Sequence, residues 1–138
     1  MQTEFEIATR GTGLVEVTRE VARWLDAIGA GDGLLTLFVR HTSCSLLVQE
    51  NADPDVRTDL EGFFDRLVPL ANAPGMAWLR HVLEGPDDMP AHIKAALLPV
   101  SLSIPVSRGR MALGTWQGIY LFEHRTRPHR RRIAAHFA

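Results

Sequence analysis

The sequence contains a single cysteine, so it cannot form a disulfide within the chain. It has no apolar run near the roughly 18 residues that a membrane-spanning helix requires. Its first residues, MQTEFEIATRG, lack the basic and apolar regions of a secretory signal peptide. A lone cysteine is typical of proteins in a reducing compartment. We therefore expect a cytoplasmic protein without a membrane partner.

The sequence also has little net charge, with a formal value of −1 at pH 7. Such a balance gives no overall attraction to nucleic acid or to a membrane surface. One basic segment, between Arg125 and Arg132, contains five arginines and His129. It lacks the interleaved aromatic residues on which single-stranded bases stack. The segment therefore favours a charged edge strand over a nucleic-acid patch.

What the sequence does contain is a globular composition, 46% hydrophobic and 22% charged, over 138 residues. Its apolar periodicities predict one α+β domain spanning residues 1–138. The predicted strands are 4–9, 34–39 (covered on both faces), 46–49, 102–106, 110–113, 119–122 and 129–137. The predicted helices cover about 17–28, 54–67 and 88–98, and segment 71–90 is irregular. Strands 102–106 and 110–113 form a hairpin through a three-residue loop, 107–109. Segment 114–118 then interrupts the second of these strands, and 119–122 resumes it.

The segment HTSCSLLVQENAD, from His41 to Asp53, places polar groups at both ends of an apolar strand. Glu50 and Asn51 offer oxygen ligands for a cation or partners that orient a histidine. A plain turn explains these two residues nearly as well. Asp53 precedes Pro54, the arrangement of a helix cap. Ser43 could donate to a phosphate oxygen.

His41, His81 and His92 lie on three separate segments, at a strand end, in a loop and near a helix start. Imidazole is the commonest metal ligand, so the three histidines could converge on a metal or a phosphate. Spacing alone does not separate this from three independent histidines. Asp88 precedes His92 by four residues and so shares one helical face with it, where it could fix the tautomer of the ring.

Gly114 and Gly118 bracket Thr-Trp-Gln inside a predicted strand. Glycine weakens a strand, so this pattern predicts a bulge or a close approach by a ligand. Thr115 and Gln117 would project to one face and Trp116 to the other. The alternative is a bend around a core tryptophan.

Three blocks of the sequence resemble the YjbQ-like family: HTSCSLLVQENADPDVRTDL, EGPDDMPAHIKAAL and SLSIPVSRGRMALGTWQGIYLFEHR. The resemblance runs from about Phe5 to the C-terminus. It implies two sheets in a β-sandwich with helices packed outside, and a homotrimer. It further implies a pocket shared by histidine, acidic and amide groups. Its expected members are His41, Glu50, Asn51, Asp53, His81, Asp88 and His92, with Thr115 and Gln117 as walls.

The resemblance implies secondary thiamine-phosphate synthase activity. In this reaction an aminopyrimidine diphosphate condenses with a thiazole phosphate and pyrophosphate departs. We assign His41, His81 and His92 to the leaving group or to a divalent metal, Mg²⁺ or Zn²⁺, that holds it. Two alternatives stay open: a metal-dependent phosphate-ester hydrolase that uses the same histidines, and a non-enzymatic small-ligand-binding protein.

Overall fold

The computed structural model describes all residues, 1–138, as eight strands and three helices. The strands are β1 (Gln2–Ala8), β2 (Gly13–Glu16), β3 (Gly33–Val39), β4 (Cys44–Glu50), β5 (Ser101–Ser107), β6 (Arg110–Met111), β7 (Gln117–Glu123) and β8 (Arg130–Phe137). The helices are α1 (Thr18–Ala27), α2 (Pro54–Leu67) and α3 (Asp88–Leu97). None of these helices is long and apolar enough to cross a membrane.

The strands form two antiparallel sheets, in the orders β1-β8-β3-β5-β6 and β2-β7-β4. Both sheets contribute to one hydrophobic core, for example through Leu37 of β3 and Leu121 of β7, both fully buried. Burial of apolar side chains between the sheets supplies the main driving force for this arrangement. The predicted α+β class is confirmed, as a single domain with two sheets.

Helix α1 forms where apolar residues recur at helical spacing. Val21 and Leu25 are fully buried in the core, and Trp24 packs edge-on against Phe5 with ring centroids 6.1 Å apart. Gly29 follows the helix with a φ of 61°, a conformation that glycine adopts without a steric penalty. The predicted helix is confirmed.

Helix α2 begins as its sequence predicts. Asp53 has an extended backbone, and its Oδ1 accepts a hydrogen bond from the N–H of Asp55 at 2.9 Å. Pro54 occupies the first helical position, where a missing N–H costs nothing. The cap prediction is confirmed at the level of the individual residue.

Three local predictions for the strands are wrong. β3 is covered on one face only: Leu35 and Leu37 are buried, whereas Leu34 and Phe38 are 46% and 49% exposed. β2 forms between the first predicted strand and the first predicted helix, where no strand was predicted. The β5–β6 turn has two residues, because Ser107 pairs with Arg110. Its central residues, Arg108 and Gly109, have positive φ values of 49° and 77°, the pattern of a type I′ turn.

Two predictions that concern sheet order are also wrong. β7 does not continue β6, because β6 belongs to the five-stranded sheet and β7 to the other. The chain between them crosses from one sheet to the next. β8 is not an edge strand, since it lies between β1 and β3. Arg131 on β8 is therefore buried, whereas Arg130 and Arg132 face solvent.

Candidate metal centre

A cluster of titratable side chains lies at the start of α3. Oδ2 of Asp88 accepts a hydrogen bond from Nε2 of His81 at 2.7 Å and lies 3.3 Å from Nε2 of His92. The two imidazole centroids are 5.6 Å apart. The Asp88 side chain is only 2% exposed, whereas those of His81 and His92 are 49% and 30% exposed. Solvent therefore reaches the histidines but not the carboxylate between them.

Arg125 holds the acidic part of this cluster in place. Its Nη1 donates to Oδ1 of Asp88 at 2.7 Å, and its Nε donates to Oδ2 of Asp87 at 2.8 Å. Its Nη2 donates to the carbonyl of Glu84 at 3.1 Å. Burial raises the pKa of Asp87, but the N–H of Thr126 and the Arg125 guanidinium lower it to about 2. Burial likewise raises the pKa of Asp88, and hydrogen bonding with His81 reverses that effect, so its pKa lies below the ordinary value. Both carboxylates are ionised at neutral pH.

A second ion pair, between Arg131 and Glu123, is fully buried and is bonded to the backbone of Arg125. Nε of Arg131 donates to Oε1 of Glu123 at 2.8 Å, and the hydroxyl of Thr9 donates to the same oxygen at 2.7 Å. Oε2 of Glu123 accepts from the backbone N–H of Arg125 at 3.2 Å. Although burial raises the pKa of Glu123, the hydrogen bonds from Arg131 and Thr9 hold it below its ordinary value. Glu123 therefore fixes the backbone from which Arg125 projects.

The hydrogen bonds of His92 determine its tautomer. Its Nδ1 lies 2.9 Å from the carbonyl oxygen of Thr42, which can only accept, so Nδ1 carries a proton. In the neutral ring the lone pair is then on Nε2, the atom that faces Asp88. A backbone carbonyl that holds the distal nitrogen in this way is characteristic of metal-ligating histidines.

The donor set fits a metal ion. One ligand atom from each of His81, Asp88 and His92 lies within 4.8 Å of the others. Two imidazoles and one carboxylate form the protein part of several catalytic metal sites, which leave further positions open to water or substrate. The predicted i, i+4 pairing of Asp88 with His92 is present, and the loop before α3 adds His81.

His41 lies apart from this cluster, although it lines the same open groove as His92. Its Nε2 accepts a hydrogen bond from the backbone N–H of Arg132 at 2.8 Å. Burial, followed by the positive charge of Arg131, lowers the pKa of the ring. Ser43 is buried, and its Oγ accepts from Nη2 of Arg131 at 2.9 Å. The hydroxyl of Ser43 is thus engaged within the chain.

The remaining predicted site residues lie at the opposite end of β4. Glu50 pairs with Gln117 across the β4–β7 ladder. The amide of Asn51 approaches Oε2 of Glu16 at 3.5 Å, and Asp53 caps α2. Thr115 is exposed. Because β4 advances about 3.3 Å per residue, its seven residues separate this group from the histidine cluster by about 20 Å.

The two glycines of the GTWQG segment have structural explanations. A Cβ on Gly118 would lie 2.6 Å from Oε2 of Glu16 and 3.2 Å from Cβ of Asn51. The close approach that requires glycine there is made by two side chains of the chain itself. At Gly114 the N–H donates to Oε1 of Gln117 at 2.7 Å, closing a turn. Trp116 is 63% exposed, so the alternative of a bend around a core tryptophan is wrong.

Sequence reasoning missed Arg125, Glu123 and Arg131 as parts of the site. The signal was present in LFEHR, where Glu123 and His124 end a wholly apolar strand. Charged residues are almost never fully buried unless they are paired. Their partners, however, depend on sheet order, which local patterns do not encode.

Comparison with known proteins identifies the family to which the chain belongs. The family described as "UPF0047 protein YjbQ-like" matches residues 3–138. The chain belongs to the YjbQ (UPF0047) family. UPF0047 protein sll1880 of Synechocystis is 52% identical over 94% of this chain and 86% of its own length. YjbQ of Escherichia coli O157:H7 is 44% identical over 97% of this chain and 94% of its own length.

Solved structures of similar proteins share the fold. A YjbQ/UPF0047-family protein from Clostridium acetobutylicum has a TM-score of 0.85 and 31% identity, with 99% of both chains covered. A hypothetical protein from Aeropyrum pernix has a TM-score of 0.88 and 29% identity, covering 100% of this chain and 98% of its own. None of these four names states an activity, so the choice between chemistries depends on the site.

Proposed function

We propose that the protein is an enzyme that acts on a phosphorylated small molecule at a metal centre formed by His81, Asp88 and His92. The observation that supports this most directly is the convergence of one ligand atom from each residue within 4.8 Å. A buried carboxylate between two solvent-accessible imidazoles is open on the side from which a substrate would approach. Asp88, whose pKa is lowered, is a perturbed titratable group of the kind that concentrates at functional sites.

The ligand chemistry favours Zn²⁺ or another transition metal over Mg²⁺. Imidazole suits these ions, whereas Mg²⁺ prefers oxygen ligands and keeps several waters. When bound, such an ion supplies a Lewis acid that stabilises negative charge on departing phosphate oxygens. The binding site itself is held ready by the chain, because Thr42 orients His92 and Arg125 orients Asp88.

The reaction that we propose is the formation of thiamine phosphate. Pyrophosphate leaves the methylene carbon of an aminopyrimidine diphosphate, and the thiazole nitrogen forms the new bond to that carbon. The protein must hold the departing pyrophosphate and keep water from the cationic carbon. His81 and His92 would contribute to the first task, and the apolar side chains of the groove beside His92 to the second.

One observation favours hydrolysis of a phosphate ester as a second candidate. The His81 side chain is 49% exposed, so water has free access to the cluster. A metal held by His81, Asp88 and His92 would supply activation of a water nucleophile near neutral pH. The two reactions differ in product, because the hydrolase releases inorganic phosphate without any second substrate.

We also propose that the protein assembles as a homotrimer, as its family resemblance implies. The chain exposes large apolar side chains in the segment between α2 and α3 that carries His81, including Trp78 at 67% and Leu83 at 97% exposure. Exposed apolar surface of this kind marks interaction sites. Assembly would also allow Glu50 and Asn51 of one subunit to approach the histidines of another. A sedimentation-equilibrium mass near that of one subunit would contradict the proposal.

Metal analysis tests the centre directly. We expect about one Zn²⁺ per chain after loading and dialysis, and almost none in the His81→Ala/His92→Ala variant. The matched control is His136→Ala, which removes an exposed histidine of β8. Equal metal content in all three proteins would overturn the centre.

Turnover tests the reaction. Wild-type protein should release pyrophosphate only when both the aminopyrimidine diphosphate and the thiazole phosphate are present. His92→Ala and Asp88→Asn should each lower turnover by at least about 100-fold, and His136→Ala should not. Release of inorganic phosphate from one substrate alone would favour the hydrolase. No turnover of either kind, with phosphate binding retained, would indicate a ligand-binding protein.

A further inference from the structure

A second cavity lies on the other side of α3 from the histidine cluster. It has a volume of about 240 Å³, the space of about eight water molecules. Asp87, Pro90 and Lys94 line it, at i, i+3 and i+7 along the sequence. The histidine cluster takes Asp88 and His92, at i and i+4. Because an α-helix turns by about 100° per residue, the two sets of side chains lie on largely opposite faces. The cavity is therefore separate from the proposed metal centre.

His124 lines this cavity with an unsatisfied donor. Its ring is buried, and Nε2 lies 2.8 Å from Oγ of Ser45. Nδ1 is the one buried side-chain polar atom of the chain without a hydrogen-bond partner. Burial, followed by the charge of Lys94, lowers the pKa of the ring to about 3, so the ring carries a single hydrogen.

The position of that hydrogen on His124 follows from its bond with Ser45. If the Ser45 hydroxyl donates to Nε2, only the N–H at Nδ1 is left unpaired. The opposite arrangement leaves both the hydroxyl hydrogen and the Nδ1 lone pair unpaired. Because each unpaired buried group is destabilising, the hydrogen lies on Nδ1. His124 therefore requires an acceptor.

Lys94 adds a buried positive charge to the same cavity. Its Nζ donates to Oδ1 of Asp65 at 2.7 Å. An ammonium group has three N–H donors, so two remain beyond this bond. Asp65 is exposed, and solvent weakens its attraction for Lys94. An acceptor that bonds both Lys94 and His124 would satisfy donors that the chain leaves free.

The rest of the lining selects the charge and size of that acceptor. Two carboxylates, those of Asp65 and Asp87, belong to the wall and disfavour a doubly charged phosphate. A single negative charge is enough to balance Lys94. Val68 is buried and adds apolar surface. A short monocarboxylate offers two acceptor oxygens to the donors and a small apolar body to Val68.

We propose that this cavity is a second ligand site, which binds a small monocarboxylate through Nζ of Lys94 and Nδ1 of His124. The inference goes beyond the proposed function, because it requires neither the metal nor the substrate of the histidine cluster. It assigns a role to two buried groups, Lys94 and His124, that the proposed reaction does not use.

Magnetic resonance of metal-free, isotope-labelled protein tests the site, with propionate as the probe. We expect propionate to shift the Nδ1 resonance of His124 in a saturable way. Propionamide has the same shape without the charge and should bind at least about ten-fold more weakly. The His81→Ala/His92→Ala variant should respond as wild type does, because its altered residues lie outside the cavity.

Two substitutions should change the affinity for propionate in opposite directions. Lys94→Met keeps an apolar side chain of similar length without the charge, so we expect binding to weaken by at least about ten-fold. Asp65→Asn removes the carboxylate that competes for Lys94, so we expect binding to strengthen by about two- to five-fold. The matched control is Asp59→Asn, an exposed residue of α2 outside the cavity, which should change nothing. Because Asp65 is exposed, its variant decides the matter even if Lys94→Met does not fold.

Several results would overturn the inference. A His124 resonance that does not move at about 100 mM propionate would mean that the cavity holds only water. Tighter binding of inorganic phosphate than of propionate would contradict the assigned class of ligand. Loss of the response in His81→Ala/His92→Ala would locate propionate at the histidine cluster instead. An affinity that Asp65→Asn lowers or leaves unchanged would mean that Lys94 does not hold the carboxylate. These readouts involve no metal and no turnover, so the proposed function and this site succeed or fail independently.

Discussion

The two ends of β4 carry similar residue types but differ in how those residues are held. At the end near Cys44, Asp88 is buried and contacts two histidines and Arg125. At the end near Glu50, Asn51 and Asp53 are exposed and bonded mainly to nearby backbone and side chains. A buried charge is stable only with its partners, whereas an exposed one exchanges them for water at little cost. Position within the fold, more than residue type, therefore distinguishes a candidate site from a turn.

The largest expected effect follows from removing the charge of Asp88. Asp88→Asn leaves Nη1 of Arg125 and both histidines without their shared anion, so we expect a loss of about 3 kcal/mol in unfolding free energy. The metal should be lost as well. Asp53→Asn, at the other end of β4, replaces one good helix cap by another and should cost well under about 1 kcal/mol. Urea unfolding of both variants measures the difference, and equal losses would contradict the comparison.

How well the sequence predicts the contacts at each end of β4 depends on how far apart in the sequence the interacting residues lie. The Asp53 cap and the Asp88–His92 pairing need only neighbours within one helical turn, and both are present as predicted. His81 joins through a loop of irregular sequence. That loop and Asp88 are both bonded by Arg125, which lies 37 residues beyond Asp88. Only the tertiary fold brings that residue into place.

The arginine segment shows the same limit in a single strand. Alternation along β8 correctly implies that Arg131 faces opposite to Arg130 and Arg132. Which of the two faces is buried depends on the pairing of β8 with β1 and β3, residues more than 90 positions away. The expectation of a charged edge strand was therefore wrong, although the strand itself was correctly predicted.

The next largest effect is expected for Arg125→Lys, which tests whether the cluster requires the geometry of the guanidinium group. Lysine keeps the charge but cannot bond Asp87, Asp88 and the carbonyl of Glu84 together. We expect Arg125→Lys to lower the unfolding free energy by about 2 kcal/mol at pH 7.

Acid unfolding provides a second measurement on this variant. The pKa of Asp87 is about 2 when folded, so its stabilising contribution is complete above pH 4 and is lost as the pH falls toward 2. Because Arg125→Lys weakens that stabilisation, its acid midpoint, followed by circular dichroism, should move to higher pH. An unchanged midpoint would mean that Thr126, through its N–H and its hydroxyl, is enough to hold the carboxylate.

A further effect comes from His124, another buried titratable group at this end. Burial, and next the charge of Lys94, lower its pKa to about 3, so the folded protein holds the ring neutral. The unfolded chain binds the proton more readily, so stability is complete above about pH 6.5 and falls as the pH drops toward 3. The slope should reach about 1.4 kcal/mol per pH unit.

Denaturant unfolding at pH 7 and pH 5 measures that slope. His124→Gln should flatten it, and His136→Gln, which changes an exposed histidine, should not. If both variants keep the wild-type slope, other groups carry the acid sensitivity.

The smallest expected effect on a single chain is that of Asn51→Ala. Its amide contacts Glu16 at a marginal 3.5 Å on an exposed surface, so we expect a change in unfolding free energy of about 0.5 kcal/mol or less and no loss of metal.

Any loss of turnover in Asn51→Ala must then arise between subunits, because about 20 Å of β4 separates Asn51 from the histidines within one chain. Mixing Asn51→Ala with His92→Ala subunits tests this directly. In a random trimer about a quarter of shared sites have both halves intact, and turnover should return to about that fraction. Full turnover by Asn51→Ala alone would restrict the site to the histidine end of one subunit, and two inactive variants that stay inactive after mixing would exclude a site shared in this way.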